Sequence, residues 1–220
     1  MGKLRFNITM TLDGYVAGPR QSVENPLGEG GDRIHEWVYR LKSFREMHGD
    51  AAGGETGTND DVLRSMFQNL GATIMGRNMF GGGPGPWKKE AWNGWWGDDP
   101  PYHTPVFVLT HHARDPLAMK GGTTFHFVTD GIESALAQAK EAARGKDVML
   151  GGGAHAARQY LAAGLIDEMD LHLVPVLLGG GERLFDGLRG SDVKLALVET
   201  ITAPDVTHLK YRVQGGSHAD

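Results

Sequence analysis

Four short stretches of this chain put chemistry-bearing residues just past an apolar run. In "DVMLGGGAHAARQYL" the run Val148 to Leu150 meets Gly151, Gly152 and Gly153 before Ala154 opens a helical pattern. Glycine reaches positive φ at little cost and lets another group approach the main chain. A helix start offers unpaired N–H groups at the positive end of its dipole, so a phosphate fits such a junction. The alternative is a tight glycine turn with no ligand. Gly151, Gly153 and Ala156 also satisfy the spacing G-x-G-x-x-A. A dinucleotide fingerprint, however, calls for an acid at the end of the next strand, and here that strand ends in Val174-Pro175.

"ATIMGRNMF" sets Gly76, Arg77 and Asn78 past a second run, and "FVLTHH" sets Thr110, His111 and His112 past a third. A guanidinium forks onto phosphate oxygens, with hydroxyl and imidazole donors beside it; a lone surface arginine does far less. In the fourth stretch, "MTLDGYVAGP", Asp13 has two readings. It is a carboxylate for the N–C–N or carbonyl edge of a heterocycle, assisting proton delivery, or it stabilises the Asp13-Gly14 turn. Asp60 is a more distant acid, better read as a helix cap. His126 and His172 fall inside strand patterns without ligand spacing, so no metal is assigned.

The elements that must position these residues follow from periodicity. "KLRFNITMTL" alternates Leu4, Phe6, Ile8 and Met10 with polar neighbours, which predicts a half-buried strand. One helical face carries Ile34, Trp37, Val38, Leu41 and Phe44 with Asp32 as N-cap, and residues 49–58 read as a small-residue loop. A second helix starting near Thr58 to Asp60 bears Val62, Leu63, Met66, Phe67 and Leu70, capped by Gly71. Residues 81–101 lack periodicity and read as an ordered loop anchored by Trp87, Trp92, Trp95 and Trp96. "PVFVLT" predicts a strand buried on both faces, "TFHFV" another, and Asp130 with Glu133 a capping box for the helix bearing Ile132, Leu136 and Ala139. "EMDLHLVPVLLGGGERLF" predicts one or two strands broken at Pro175 and at Gly179 to Gly181, and "KLALVETITAPDVTHLKYRV" an antiparallel hairpin. Together these give an α/β fold with a mostly parallel sheet and an antiparallel edge.

Composition narrows the function. The 220 residues suit a single domain spanning 1–220, and the net charge of −5 is mixed along the chain, which argues against nucleic acid as partner. With no cysteine there is no disulfide and no thiolate zinc site. The N-terminus lacks a signal-peptide core and no apolar run reaches membrane-spanning length, so no membrane partner is expected and the cytoplasm is the expected compartment.

"MTLDGYVAGP", "TIMGRNMF", "FVLT" and "VMLGGGAHAARQYLAAGLIDEMDLHLVPVLLGGGERLF" occur in order over nearly the whole chain. The chain resembles the dihydrofolate reductase-like superfamily, and within it the C-terminal reductase domain of the bifunctional riboflavin-biosynthesis deaminase-reductase. The resemblance implies a three-layer sandwich with helices on both sheet faces and an NADPH-dependent reductase that passes a hydride to a C=N or C=O of a small heterocycle of pterin, pyrimidine or flavin-precursor type. By motif, Arg77 and Thr110, flanked by Gly76 and His111, would hold the 2′-phosphate, with Asn78 near the phosphates. Gly151, Gly152, Gly153 and Ala154 would hold the pyrophosphate, with a cis peptide possible in the glycine pair. Ala17 would line the nicotinamide, Asp13 would face the substrate, and Gly179 to Gly181 would lie near the substrate end. A homodimer is implied as well. Met79 departs from the family threonine of GR-x-T, Asp60 and Asp61 have no clear register with the dihydrofolate reductase acid, and the cysteine-dependent deaminase half is absent. A non-catalytic NADPH-binding or sensor protein on the same fold is the alternative. A Rossmann-type NAD dehydrogenase would rest on G-x-G-x-x-A alone.

Overall fold

The computed structural model describes residues 2–50, 53–88, 92–188 and 192–214. In chain order the strands are β1 (Leu4–Thr11), β2 (Tyr15–Ala17), β3 (Leu70–Gly76), β4 (Pro105–Leu109), β5 (Leu117–Ala118), β6 (Thr124–Val128), β7 (Asp147–Gly152), β8 (Glu168–Val174), β9 (Glu182–Arg183), β10 (Lys194–Ala203) and β11 (Val206–Gln214). The α-helices are α1 (Glu36–Tyr39), α2 (Lys42–Met47), α3 (Thr58–Met66), α4 (Arg77–Phe80), α5 (Ile132–Ala143) and α6 (Ala154–Ala162).

A nine-stranded sheet has the order β10-β11-β8-β1-β7-β3-β4-β6-β5. From β8 across to β6 every neighbouring pair is parallel. Antiparallel pairing is confined to β5 with β6 at one edge and to the β10–β11 hairpin, which joins β8, at the other. Short β2 and β9 pair separately.

Helices cover both sheet faces. Leu4 and Phe6 of β1, Ile74 of β3 and Leu150 of β7 pack with Ala135 and Ala139 of α5 and Tyr160 and Leu161 of α6. On the opposite face Ile34, Trp37, Leu41 and Leu63 form a second cluster with Val174 and Val206. A third, around Phe80, Val106, Val108 and Phe125, takes in Trp87, Trp92 and Trp96 of the 81–101 loop.

Several local expectations are corrected. β1 is not half-buried: Arg5, Asn7, Thr9 and Thr11 are buried along with Leu4 and Phe6, while Ile8 and Met10 are partly so, because a central strand lies under helices on both sides. Arg5 spends its donors on Ser65 O and Gln68 O, and Thr9 Oγ1 accepts from Trp37 Nε1. The helix expected over Ile34 to Phe44 is three pieces, a 3₁₀ turn Gly31–Ile34, then α1 and α2, with Leu41 extended between them. Asp32 caps nothing; Gly30 holds that position. Gly71 does not end α3, which stops at Met66, and Leu70 and Gly71 already belong to β3. Asp130 and Glu133 form no capping box, since Gly131, at φ 93°, precedes α5. Asp60 does not cap its own helix: its fully buried carboxylate accepts from Ser43 N, a free N–H in the first turn of α2, and from Arg64 Nη2, so it caps α2 from α3.

Candidate cofactor and substrate site

Because β7, β3 and β4 are adjacent and parallel, their C-terminal ends at Gly152, Gly76 and Leu109 open on one edge of the sheet. β1, parallel to β7 and β8, brings Thr11 and the Asp13 turn to that same edge. Crevices beyond the carboxyl ends of parallel strands are where open α/β sheets take ligands.

The glycine tract belongs partly to the strand. β7 runs through Gly152, whose φ is 114°, and the Gly152-Gly153 peptide is cis. Gly153 then caps α6 without any side-chain hydrogen bond, and no acidic residue stands in the first turn. A Cβ on Gly153 would meet nothing within 4 Å, so the main chain there faces open space. A Cβ on Gly76 would stand 3.4 Å from the Ala156 Cβ, so the β3 exit lies against the first turn of α6. Met79 lies over the strand side of the tract, its Sδ 3.5 Å from where a Gly151 Cβ would be. Ala154 is buried; Asn78 and His111 are exposed.

Arg77 and Thr110 come together across the β3 and β4 exits, Nη1 to Oγ1 at 3.5 Å. Arg77 also donates from Nε to Gly81 O and from Nη2 to Gly83 O, each at 3.0 Å, and its guanidinium lies on the Trp87 ring. Burial, together with the charge of Arg114, pulls its pKa below the usual arginine value. Indole N–H groups pin the tryptophan loop to this corner: Trp87 to His112 O, Trp92 to Phe80 O and Trp95 to Met79 O. The last two satisfy carbonyls that α4 leaves free at its end.

Asp13 is held tightly by its own surroundings. Its Oδ1 accepts from Thr11 Oγ1 at 2.6 Å, and its Oδ2 from the N–H groups of Leu178 and Gly179 at 3.0 and 2.7 Å. The Thr11 hydroxyl, with these main-chain donors, holds the carboxyl below the usual carboxylate range. Ala17 and the second glycine tract meet closely: a Cβ on Gly181, φ 124°, would stand 2.1 Å from Ala17 O. Arg158 of α6 reaches Glu182 Oε1 and Arg183 O of β9 at 2.8 and 2.6 Å, joining α6 to the β2–β9 pair.

Sequence reading missed several polar groups. Asn7, one residue beyond the Phe6–Leu150 register of β1 and β7, is 7 % exposed with neither amide atom hydrogen-bonded. Asn59 Nδ2 donates to Pro204 O, so its Oδ1 accepts from His208 Nε2 at 2.9 Å. His208 Nδ1 is then bare and accepts from His172 Nδ1 at 2.8 Å, an assignment made from the network. Burial pushes these imidazoles down to about 3 for His172 and about 4 for His208. A cleft of about 60 Å³ along α3, lined by Arg5, Asp170, His172 and Lys210 among others, lies toward the other end of β1 from Asp13.

Solved structures share this architecture. A protein assigned to riboflavin biosynthesis from Shewanella sp. PV-4 is 20% identical, with a TM-score of 0.65 over 97% of this chain and 99% of that one. A deaminase/5-amino-6-(5-phosphoribosylamino)uracil reductase from Thermotoga maritima is 13% identical, TM-score 0.55, over 97% of this chain and 57% of that one. Dihydrofolate reductase from Enterococcus faecalis, complexed with NADP(H) and RAB-propyl, is 14% identical, TM-score 0.52, over 97% of this chain and 98% of that one. At these identities the likeness carries the fold. No curated protein matches the sequence significantly. The profile of the RibD C-terminal domain matches residues 2–209, nearly end to end with the strands and exits described above; the chain belongs to the RibD C-terminal domain family, a family of oxidoreductase domains.

Proposed function

We propose that the chain is an NADPH-dependent reductase that passes a hydride to a C=N or C=O of a small heterocycle of pterin, pyrimidine or flavin-precursor type. One observation carries this reading: the exits after β3, β4 and β7 open on a single edge, beside the end of β1. The residues there suit a phosphorylated dinucleotide. The main chain at Gly153 faces open space, and no acidic residue stands in the first turn of α6.

When bound, the nicotinamide supplies the hydride. Gly151 to Gly153 and Ala154 hold the pyrophosphate through main-chain N–H groups. Arg77 and Thr110, with Gly76, Asn78 and His111 around them, hold the 2′-phosphate end. Ala17 lines the nicotinamide end, its backbone fixed by the close approach of Gly181. Asp13 acts by positioning. Its carboxyl, held below the usual range, is ionised at neutral pH and stores no proton, while it fixes the Leu178–Gly179 turn at the substrate end. The protein works as one domain over 1–220 in the cytoplasm, as a homodimer; exposed Leu195, Leu197 and Val198 on the free edge strand β10 support the last point.

Tryptophan quenching titrations with NADPH and NADH test the assignment. Arg77→Ala is expected to weaken NADPH by about 1.5–3 kcal/mol, the worth of charge-assisted hydrogen bonds, and to leave NADH unchanged. Equal affinities in the parent protein would end it. The alternative, a non-catalytic NADPH-binding or sensor protein, is favoured by the Met79 thioether against the glycine tract and by the fully engaged Asp13 carboxylate. Oxidation of NADPH with any member of a heterocycle panel would reject it.

A further inference from the structure

The tryptophan-rich loop has no part in the reading above, yet two cations meet on one of its rings. The Arg77 guanidinium carbon lies 3.1 Å from the Trp87 ring centroid, and that of Arg114, on the segment joining β4 to β5, lies 5.0 Å from the same centroid. Phe127 of β6 lies beside Trp87, edge to face, and its centroid is likewise 5.0 Å from the Arg114 guanidinium carbon. Trp87 is itself tied to the β4 exit through His112 O, next to the Thr110 hydroxyl that Arg77 approaches.

Neither arginine is paired with a carboxylate among the described residues. Arg77 donates to Gly81 O and Gly83 O, and Arg114 to Trp92 O at 2.6 Å and to Asn93 Oδ1 at 3.4 Å. Both side chains are partly buried, where water screens their mutual repulsion less than at an open surface. Carbonyl dipoles orient the two forks but cancel neither charge. A dianion placed between them does, and phosphate oxygens are stronger acceptors than the amide oxygens they would displace. Contact of the Arg77 face with the indole leaves its N–H groups at the edge, where a phosphate oxygen can take the place of a carbonyl.

We infer that Arg114 is a second phosphate-binding arginine of this site, held with Arg77 on Trp87, and that it selects a phosphomonoester dianion over an unphosphorylated ribose. This rests on the cofactor reading above and extends it to a residue from a different loop. It also gives the tryptophan loop a task, which is to carry the aromatic platform on which both forks are aligned.

Adenosine 2′-monophosphate and adenosine are the probes, with NADPH and NADH alongside, titrated by tryptophan quenching into the full chain. The parent protein is expected to prefer the phosphorylated member of each pair, and its affinity for adenosine 2′-monophosphate to rise as pH passes about 6, where the monoester loses its second proton. Arg114→Gln should lower that affinity about 10- to 150-fold, flatten the pH rise and leave adenosine unchanged. Arg114→Lys, which keeps the charge without the fork, should fall between the two and serves as the comparison where the glutamine variant does not fold. If Arg114→Gln or Arg114→Lys binds like the parent with the same pH rise while Arg77→Gln loses binding, the inference about Arg114 is overturned and the cofactor reading stands. If the parent protein does not distinguish NADPH from NADH, the cofactor reading itself fails.

Discussion

Asn7 encloses two polar atoms that bond to nothing in the protein, on a strand where Arg5 Nε is the other buried polar atom without a partner among the described residues. Buried polar groups left without partners are destabilising. Asn7→Leu, with the same branching and number of side-chain heavy atoms, is therefore expected to raise stability by about 1 kcal/mol or more in urea unfolding. A loss of stability would mean that the amide has partners the protein chain does not supply. Asp13 makes the opposite kind of claim. Asn at this position keeps the shape but offers one accepting oxygen where Thr11, Leu178 and Gly179 use two. Asp13→Asn should lower kcat evenly across pH without moving the pH–rate profile; a shift in that profile would make Asp13 a proton carrier. Arg77, Thr110 and the glycines were legible because each directly follows an apolar run. Trp87 was legible as a loop anchor, but its partnership with Arg114 was not, since it joins two aperiodic loops and no spacing encodes it.

At the scale of elements, α3 and α5 begin where the side-chain patterns placed them, but glycine conformation stands where acidic caps were expected. α3 and α5 each start after a glycine at positive φ, Gly57 at 119° and Gly131 at 93°, rather than at an acidic cap. The apolar stripe from Ile34 to Phe44 is real, but periodicity records which side chains face the core and not whether the hydrogen-bond ladder continues. Leu41, extended and bridged to Glu55, interrupts that ladder. Gly181 shows the tightest glycine requirement near the substrate end. Gly181→Ala places a Cβ against Ala17 O and keeps φ near 124°, so the β2–β9 pair must shift. A loss of about 1–3 kcal/mol is expected from backbone strain alone, read as a lower melting temperature. An unchanged melting temperature would show that the loop relaxes freely.

For the whole molecule, the buried His172–His208 pair links stability to acid. Both fold neutral, with pKa pushed down to about 3 and about 4, whereas the unfolded chain takes up protons near 6.5. Stability from this source is therefore intact above about pH 6.5 and falls as pH drops below it, by about 2 kcal/mol per histidine between pH 7 and pH 5. Urea unfolding at the two pH values measures it, and a flat result would mean that the pair is solvated. Among the described residues no helix is long and apolar enough to cross a membrane. By itself the sequence determined the order of the long strands and helices, the mixed sheet with its closing hairpin, and the residues at the strand exits, but not the short β2, β5 and α4. Those depend on local periodicity and on which residue comes next along the chain. Only the tertiary structure decided that β7, β3 and β4 are neighbours opening on one edge, that both Asp13 oxygens are taken, and that two arginines share one tryptophan. Apart from the bond of Thr11 to Asp13, these contacts join groups far apart in the chain, and their distances are set by sheet order and loop packing, which leave no mark on local spacing.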